Sequence, residues 1–194
     1  MNLIYIQRSS ARLAVIVLGC LLAAWPARIV AEDAVTVANK VKAAMLLKFT
    51  KYVEWPASSF PSRESPFVLG IIGKDPVVSE IEASLAGKPI EGRPLVVRQF
   101  SDASEARGCH MIFICLSERK RLPRALENLK GQTVLTVSDA EGFIEEGGMI
   151  HLRKEGVTIK FDINQTAVEK AGLKVSSKLL QLGRPGKGAS GSAK

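Results

Sequence analysis

The sequence has little of what metal sites and nucleophilic catalysis require, since its 194 residues include three cysteines and two histidines. Neither His110 nor His151 stands at a metal-type spacing from a Cys, Asp or Glu residue. The G-x-S-x-G, P-loop and G-x-G-x-x-G motifs are also lacking. We therefore expect a protein that is not an enzyme and that holds no metal and no cofactor, with both histidines as hydrogen-bonded structural residues.

The sequence also offers little opportunity for disulfide bonds, because only Cys109 and Cys115 lie beyond the first 31 residues. Both flank a short apolar run, CHMIFIC, which reads as an extended strand. A strand rises about 3.3 Å per residue, so these two Cα atoms would be roughly 20 Å apart. A disulfide requires less than about 7 Å. We expect two buried free thiols; an intermolecular or partly exposed Cys109 remains the alternative.

Most of the excess positive charge lies outside residues 32–183. The formal net charge is +8, but six basic residues lie before residue 32 or after residue 183. Residues 32–183 keep 21 basic and 19 acidic residues, a net charge of +2. Proteins that bind nucleic acid concentrate cations on a folded surface. No nucleic-acid partner is expected.

The first 31 residues have the features of a secretory signal peptide. Arg8 and Arg12 precede an apolar run at residues 13–25, and Ala31 closes a small-residue cleavage pattern. About thirteen apolar residues are too few for a membrane span, which needs roughly 20. We predict export, with cleavage after Ala31. Lipoprotein anchoring at Cys20 is the less favoured alternative, because the apolar run continues past that cysteine.

The remaining pattern predicts one three-layer α/β domain over residues 32–183, with a mainly parallel sheet. Apolar residues recur at helical spacing from Ala34 to Glu54, and Pro56 should end this N-terminal amphipathic helix. Four strands, two helices, an antiparallel C-terminal hairpin around Glu155-Gly156 and two short helices should follow. The strands are predicted at 67–73, 94–100, 110–116 and 133–138, and the helices at 75–87 and 117–131, the latter capped by Ser117. Residues 184–194, rich in Gly, Ser and Lys, are predicted to be a disordered tail.

Two loops should meet at the carboxyl edge of such a sheet, where ligands of open α/β folds bind. They are GIIGKDP after the first strand and SDAEGF after the fourth. A possible ligand rim would use Gly73, Lys74, Asp75, Ser138 and Asp139. Turns of this kind also occur simply because the chain must connect a strand to a helix.

Three segments together resemble the YfiR family of small periplasmic proteins. They are NKVKAAMLLKFTKYVEWP near the start, CHMIFI in the middle, and GGMIHL through IKFDIN to AGLKVSSKLLQLG at the end. The resemblance implies a non-enzymatic periplasmic regulator. Its partner would be the periplasmic part of an inner-membrane signalling protein, a diguanylate cyclase or a sensor kinase. Binding to a cyclase would restrain it and lower cyclic di-GMP.

The resemblance also implies where a partner would bind, toward the hairpin and the last helix. The corresponding positions in this chain are Met149, Ile150, Asp162, Val168 and Gln181. Asp162 lies between Phe161 and Ile163, so alternation along a strand would point its side chain toward solvent. A merely solvated aspartate is the alternative. The type member's extra cysteine pair has no counterpart around GFIEEGGMI, so redox control there is not expected.

The N-terminal helix has two possible uses. Leu46, Phe49, Val53 and Trp55 could form a core face against the sheet or part of a homodimer interface. A second possible function, from a different class, is a periplasmic small-molecule sensor or solute-binding domain that uses the carboxyl-edge rim.

Overall fold

The computed structural model describes residues 25–186 of the chain. The chain divides into two compact units, Met1–Val37 and Ala38–Lys194. Helix α1, Trp25–Phe49, contains the described part of the first unit and the start of the second. Cys20 and residues 187–194 lie outside the described residues, whereas the predicted cleavage point at Ala31 lies within α1. Within residues 25–186 no helix is long and apolar enough to cross a membrane.

The second unit is built on a seven-stranded sheet with helices on both faces, which confirms the predicted α/β class. The strands are β1 (Val53–Glu54), β2 (Phe67–Ile72), β3 (Leu95–Phe100), β4 (Met111–Ile114), β5 (Leu135–Ser138), β6 (Ile150–Glu155), β7 (Thr158–Ile163), β8 (Lys174–Val175) and β9 (Arg184–Pro185). The further helices are α2 (Val77–Leu85), α3 (Leu122–Leu129), α4 (Gln165–Lys170) and α5 (Ser177–Leu182).

The sheet order is β3-β2-β4-β5-β6-β7-β9. The first five strands run parallel, β7 turns back antiparallel to β6 as the predicted hairpin, and β9 adds parallel to β7. A separate antiparallel pair joins β1 to β8. The parallel strands are connected by crossovers, which explains why helical and strand patterns alternate in the sequence.

Alternate residues of the central strands belong to two hydrophobic clusters, one on each face. In β2, Phe67, Leu69 and Ile71 join the first cluster, while Val68 and Ile72 join the second. Helices α1, α2, α4 and α5 contribute to the first cluster, and α3 contributes to the second. A strand covered on both faces has no polar alternation, which is why its sequence is continuously apolar.

The core side of helix α1 is now defined. Leu46, Phe49 and Val53 are buried in the first cluster, and Trp55 packs against it half-buried. Leu46, Phe49 and Val53 therefore belong to the core face and expose almost no surface for a homodimer contact, and Trp55 lies at the end of this face. Phe49 meets Phe161 of β7 edge to face, with ring centroids 5.2 Å apart.

Three predicted boundaries were wrong. Helix α1 ends at Phe49 instead of Glu54, because Val53 and Glu54 pair with β8. Ser117 does not cap a helix; a 3-10 segment, Leu116–Arg121, comes first, and α3 follows with Pro123 in its first turn. The chain also remains ordered past Gly183, because Arg184 and Pro185 pair with β7.

A stacked cluster holds the segment after α1 against the sheet. The Trp55 indole Nε1–H donates to the carbonyl oxygen of His110 at 2.9 Å, and its ring meets Phe67 edge to face. The His110 imidazole is stacked between Phe67 and Phe60. Its Nδ1 accepts a hydrogen bond from the Val68 amide at 3.0 Å. The His110 Nε2–H is thereby left to donate to the carbonyl of residue 59, 3.0 Å away. His110 is the hydrogen-bonded structural histidine that the sequence predicts.

We expect His110 to make the stability of the fold depend on pH. Burial lowers the pKa of His110, and the nearby charge of Arg93 acts in the same direction. The unfolded chain therefore takes up the proton more readily, and stability is lost as pH falls below about 6.5, the pKa of an unperturbed histidine. The free energy of unfolding, measured in urea at pH 8, 6.5 and 5, should fall over this range.

The matched variant is His110→Asn, whose side-chain oxygen can accept from the Val68 amide but cannot titrate. Its stability should fall less between pH 8 and pH 5 than that of the wild type. An equal fall in both proteins would show that His110 is not the responsible group.

The two thiols should be unreactive in the folded protein. Both cysteines are free and buried. Burial raises the pKa of Cys109 to about 11 and that of Cys115 to about 12, so the reactive thiolate is scarce at neutral pH. Peptide mapping after treatment with N-ethylmaleimide at pH 7.5 should find both unmodified, and modified once guanidinium chloride is added. Rapid modification of native Cys109 would favour the partly exposed alternative.

Candidate functional site

The first candidate site is centred on Asp162 in β7, next to β9, the last strand in the sheet order. Phe161 and Ile163, on either side of it, pack with the first hydrophobic cluster. Asp162 faces the opposite side of the sheet, as strand alternation requires. It does not reach solvent, because the residue is only 5% exposed. The prediction of a solvent-facing aspartate is therefore wrong.

Strand pairing places three basic side chains around this carboxylate. Asp162 lies opposite His151 of β6 and beside Arg184 of β9. Arg153 is two residues after His151 and so lies on the same face of the sheet. Arg184 Nε donates to Asp162 Oδ1 at 3.0 Å, and Arg153 Nε donates to Oδ2 at 3.2 Å. The His151 Nδ1 atom is 3.7 Å from Oδ2.

The charge pattern continues outward from Asp162 to the surface. Arg153 also binds Glu155, and the Lys160 Nζ atom lies 3.4 Å from the Glu155 carboxylate. The hydrogen bond that Arg153 donates to Glu155 raises the pKa of Arg153 and lowers the pKa of Glu155. Arg153 therefore stays charged and is held between a buried and an exposed carboxylate.

Next to these groups the surface has two shallow clefts. The first, about 390 Å³, lies between the β6-β7-β9 edge and the loop that carries Glu141 and Glu145. The second, about 360 Å³, is bordered by Lys160, Leu182 and Arg184. The arginine pair borders both clefts. Asp162, Arg153 and Arg184 are each held by a group of opposite charge, so the two guanidinium groups have a defined orientation beside these clefts.

Most of the residues that the resemblance assigns to partner binding are not at the surface. Ile150 and Val168 are fully buried in the first cluster, and Met149 is nearly so. Gln181 of α5 is exposed and stands next to Leu182, which is 60% exposed. Of the five predicted residues, Gln181 alone is exposed for direct contact, and Asp162 is connected to the surface only through Arg153 and Arg184.

The residues of the predicted ligand rim fall into two groups, one that is engaged in contacts within the fold and one that borders a cleft. Ser138 is buried, and its hydroxyl donates to the carbonyl of Ile114 at 2.7 Å. Asp139 forms an ion pair with Lys42 of α1, with 2.5 Å between Oδ2 and Nζ. This half of the rim holds α1 onto the sheet.

The other half of the rim remains accessible. Gly73 and Lys74 border an open cleft. Asp75 is half-buried, and burial, followed by the charge of Asp139, raises its pKa. No group of three or more His, Cys, Asp or Glu side chains within the described part of the chain could hold a metal ion.

Sequence reasoning missed Arg153, Arg184 and Lys42. Arg153 could have been found, because it shares its strand face with His151 opposite Asp162. Arg184 was assigned to the tail, since a two-residue strand gives no periodic signal. Nothing local connects Lys42 to Asp139, which is 97 positions away.

Substitution of Asp162 by Asn should destabilise the fold. The change keeps the shape but removes the charge that both arginines bind, and charge-assisted hydrogen bonds contribute about 1.5–3 kcal/mol each at buried sites. Because Arg184 is largely exposed, we expect a total loss of about 1–3 kcal/mol in the free energy of unfolding, measured in urea. Glu155→Gln is the control: it removes exposed ion pairs with Arg153 and Lys160 and should cost less stability than Asp162→Asn. Equal losses would mean that burial of Asp162 adds nothing.

Comparison with known proteins was made for both sequence and structure. Curated protein sequences contain no significant match. A conserved domain protein of Vibrio cholerae O1 biovar El Tor is 14% identical, with a TM-score of 0.49, over 62% of this chain and 54% of that one. An ABC domain of Streptococcus pneumonia, solved with L-Trp, is 13% identical, with a TM-score of 0.48, over 60% and 54%.

The chain thus spans about half the length of these solved structures, and at this similarity neither indicates a function. The family comparison is different in extent. Residues 39–184 match a protein family described as YfiR/HmsC-like. The match begins within α1 and ends at the first residue of β9. This chain is a member of the YfiR/HmsC-like family.

Proposed function

We propose that this protein is a non-enzymatic periplasmic regulator that binds the periplasmic sensor part of an inner-membrane signalling protein. The favoured partner is a diguanylate cyclase, whose restraint would lower cyclic di-GMP; a sensor kinase is the alternative partner. The observation that carries the proposal is the family match, which extends over almost the whole ordered domain. Export through the signal peptide at residues 1–31 belongs to the proposal.

The surface that we assign to the partner consists of Gln181, Leu182 and Arg184, and we call it the β9-edge surface. It combines an exposed leucine, an amide and an arginine whose side chain is 65% exposed. Interfaces commonly use an apolar contact and an arginine in this way. Asp162 binds the arginine from below and so fixes the direction of its guanidinium group.

Restraint needs no chemistry at this surface. A protein that binds the inactive form of a cyclase more tightly than the active form shifts the equilibrium toward the inactive form. The shift cannot exceed the difference between the two binding free energies. An arginine that is already oriented by Asp162 is suited to such discrimination, because less side-chain entropy is lost on binding.

Homodimer formation remains a prediction. With Leu46, Phe49 and Val53 in the core, a dimer would have to use apolar residues that are still exposed, such as Val41 or Leu116. Light scattering of the purified protein measures this directly.

The partner surface can be tested by placing an acidic side chain on it. Leu182→Asp should reduce recovery of the membrane partner in a pull-down at least tenfold, because a desolvated charge at an interface is costly. Cyclic di-GMP in cells that carry this variant should rise to the level found without the protein.

Val157→Asp is the matched control, since Val157 is 99% exposed in the turn between β6 and β7 and borders neither of the two clefts beside Arg184. It should behave as wild type in both measurements. If the two variants bind and regulate alike, the β9-edge surface is not the contact. If wild type recovers no membrane signalling protein, the proposed function itself is wrong.

A further inference from the structure

A cleft of about 460 Å³ lies at the carboxyl edge of the sheet, where β3, β2 and β4 end. The chain passes from β2 outward to β3 and then returns across β2 to form β4. The direction of strand addition therefore reverses between β2 and β4. Ligands of open α/β sheets bind at this topological position, and the volume is within the range of small-molecule sites.

Positive charge and hydrogen-bond donors border this cleft. Lys74 follows β2, and Arg121 comes from the 3-10 segment after β4. Glu118 is nearly buried, and its carboxylate binds Arg121 Nε at 3.0 Å. Because the Arg121 side chain is still 60% exposed, this bond positions the guanidinium group without covering it. The hydroxyls of Ser101 and Ser117 complete the polar lining, which carries one net positive charge.

Gly73 lies at the floor of the cleft, in a turn that favours glycine. Its φ of +102° is one that residues with a side chain rarely adopt. A Cβ atom there would also lie 2.8 Å from Ser117 Oγ and from Glu118 Cγ. The Gln99 side-chain amide donates to the Gly73 carbonyl at 2.9 Å. Glycine is thus required both by the turn and by the close approach of the two side chains that line the cleft.

We propose that this cleft binds a small organic molecule through one oxyanion group, a carboxylate or a phosphate, held by Lys74, Arg121 and Ser117. Two cations and a hydroxyl around a concave site match the charge and the acceptor oxygens of such a group. The site adds small-molecule binding to the proposed regulator.

The probes are sodium phosphate and sodium acetate, titrated at constant ionic strength into the ¹⁵N-labelled protein. At least one of them should cause saturable shifts of the amide resonances of Gly73, Lys74 and Ser117. Saturation by phosphate alone or by acetate alone identifies which oxyanion the site prefers. Absence of saturable shifts with both would overturn the proposal.

Two variants separate the site from general salt effects. Lys74→Ala should weaken binding of the probe at least fivefold, and because Lys74 is exposed its spectrum should otherwise match the wild type. Lys120→Ala removes an exposed cation of the same 3-10 segment that does not line the cleft, and it should leave the affinity unchanged. Equal affinities of the two variants would overturn the proposal.

Binding of the probe at the cleft should not depend on the β9-edge surface. The cleft lies near β3 at one end of the sheet order, and β9 lies at the other end. Leu182→Asp should therefore bind the probe like the wild type even where it no longer binds the membrane partner. Loss of probe binding in Leu182→Asp would contradict a separate site.

Discussion

Burial of both faces of the parallel strands is the constraint on which the rest of this structure depends. Residues 67–72 alternate between two hydrophobic clusters, so each face of the sheet needs its own helical cover. Helix α1 supplies part of that cover through Leu46 and Phe49, and its Lys42 reaches Asp139 at the carboxyl edge. At that edge the loop after β5 therefore binds α1 through Asp139, whereas the loop after β2 borders an open cleft.

The positions of the two proposed binding surfaces follow from how the sheet ends on each side. At one end the order reverses around β2, and strand ends with basic and hydroxyl side chains border a cleft. At the other end β7 and β9 place Asp162 under Arg184. A buried carboxylate with two arginines is costly to desolvate, and its benefit is a fixed orientation of the charged groups. Recognition by shape and charge requires this kind of order.

Much of the fold could be predicted from the sequence, because its signals are local. Continuous apolar runs indicated β2, β4 and β5, and Gly172 and Ser176 marked where the last two helices end and begin. Helix α1 was predicted too long, since Val53 fits helical spacing but is used in a strand pair with Val175. Burial of Asp162 could not be predicted by alternation, which gives the face of a strand but not what covers that face. The cover is Arg184, contributed by a strand of two residues.

The position of the first buried side chains has a consequence for the order of export and folding. Among residues from 35 onward, burial begins at Asn39, and the core residues of α1 begin at Ala43. A cut after Ala31 would therefore remove none of the described core. The chain left after such a cut would keep every buried side chain described from residue 35 onward, so removal of the leader would require no rearrangement of that core.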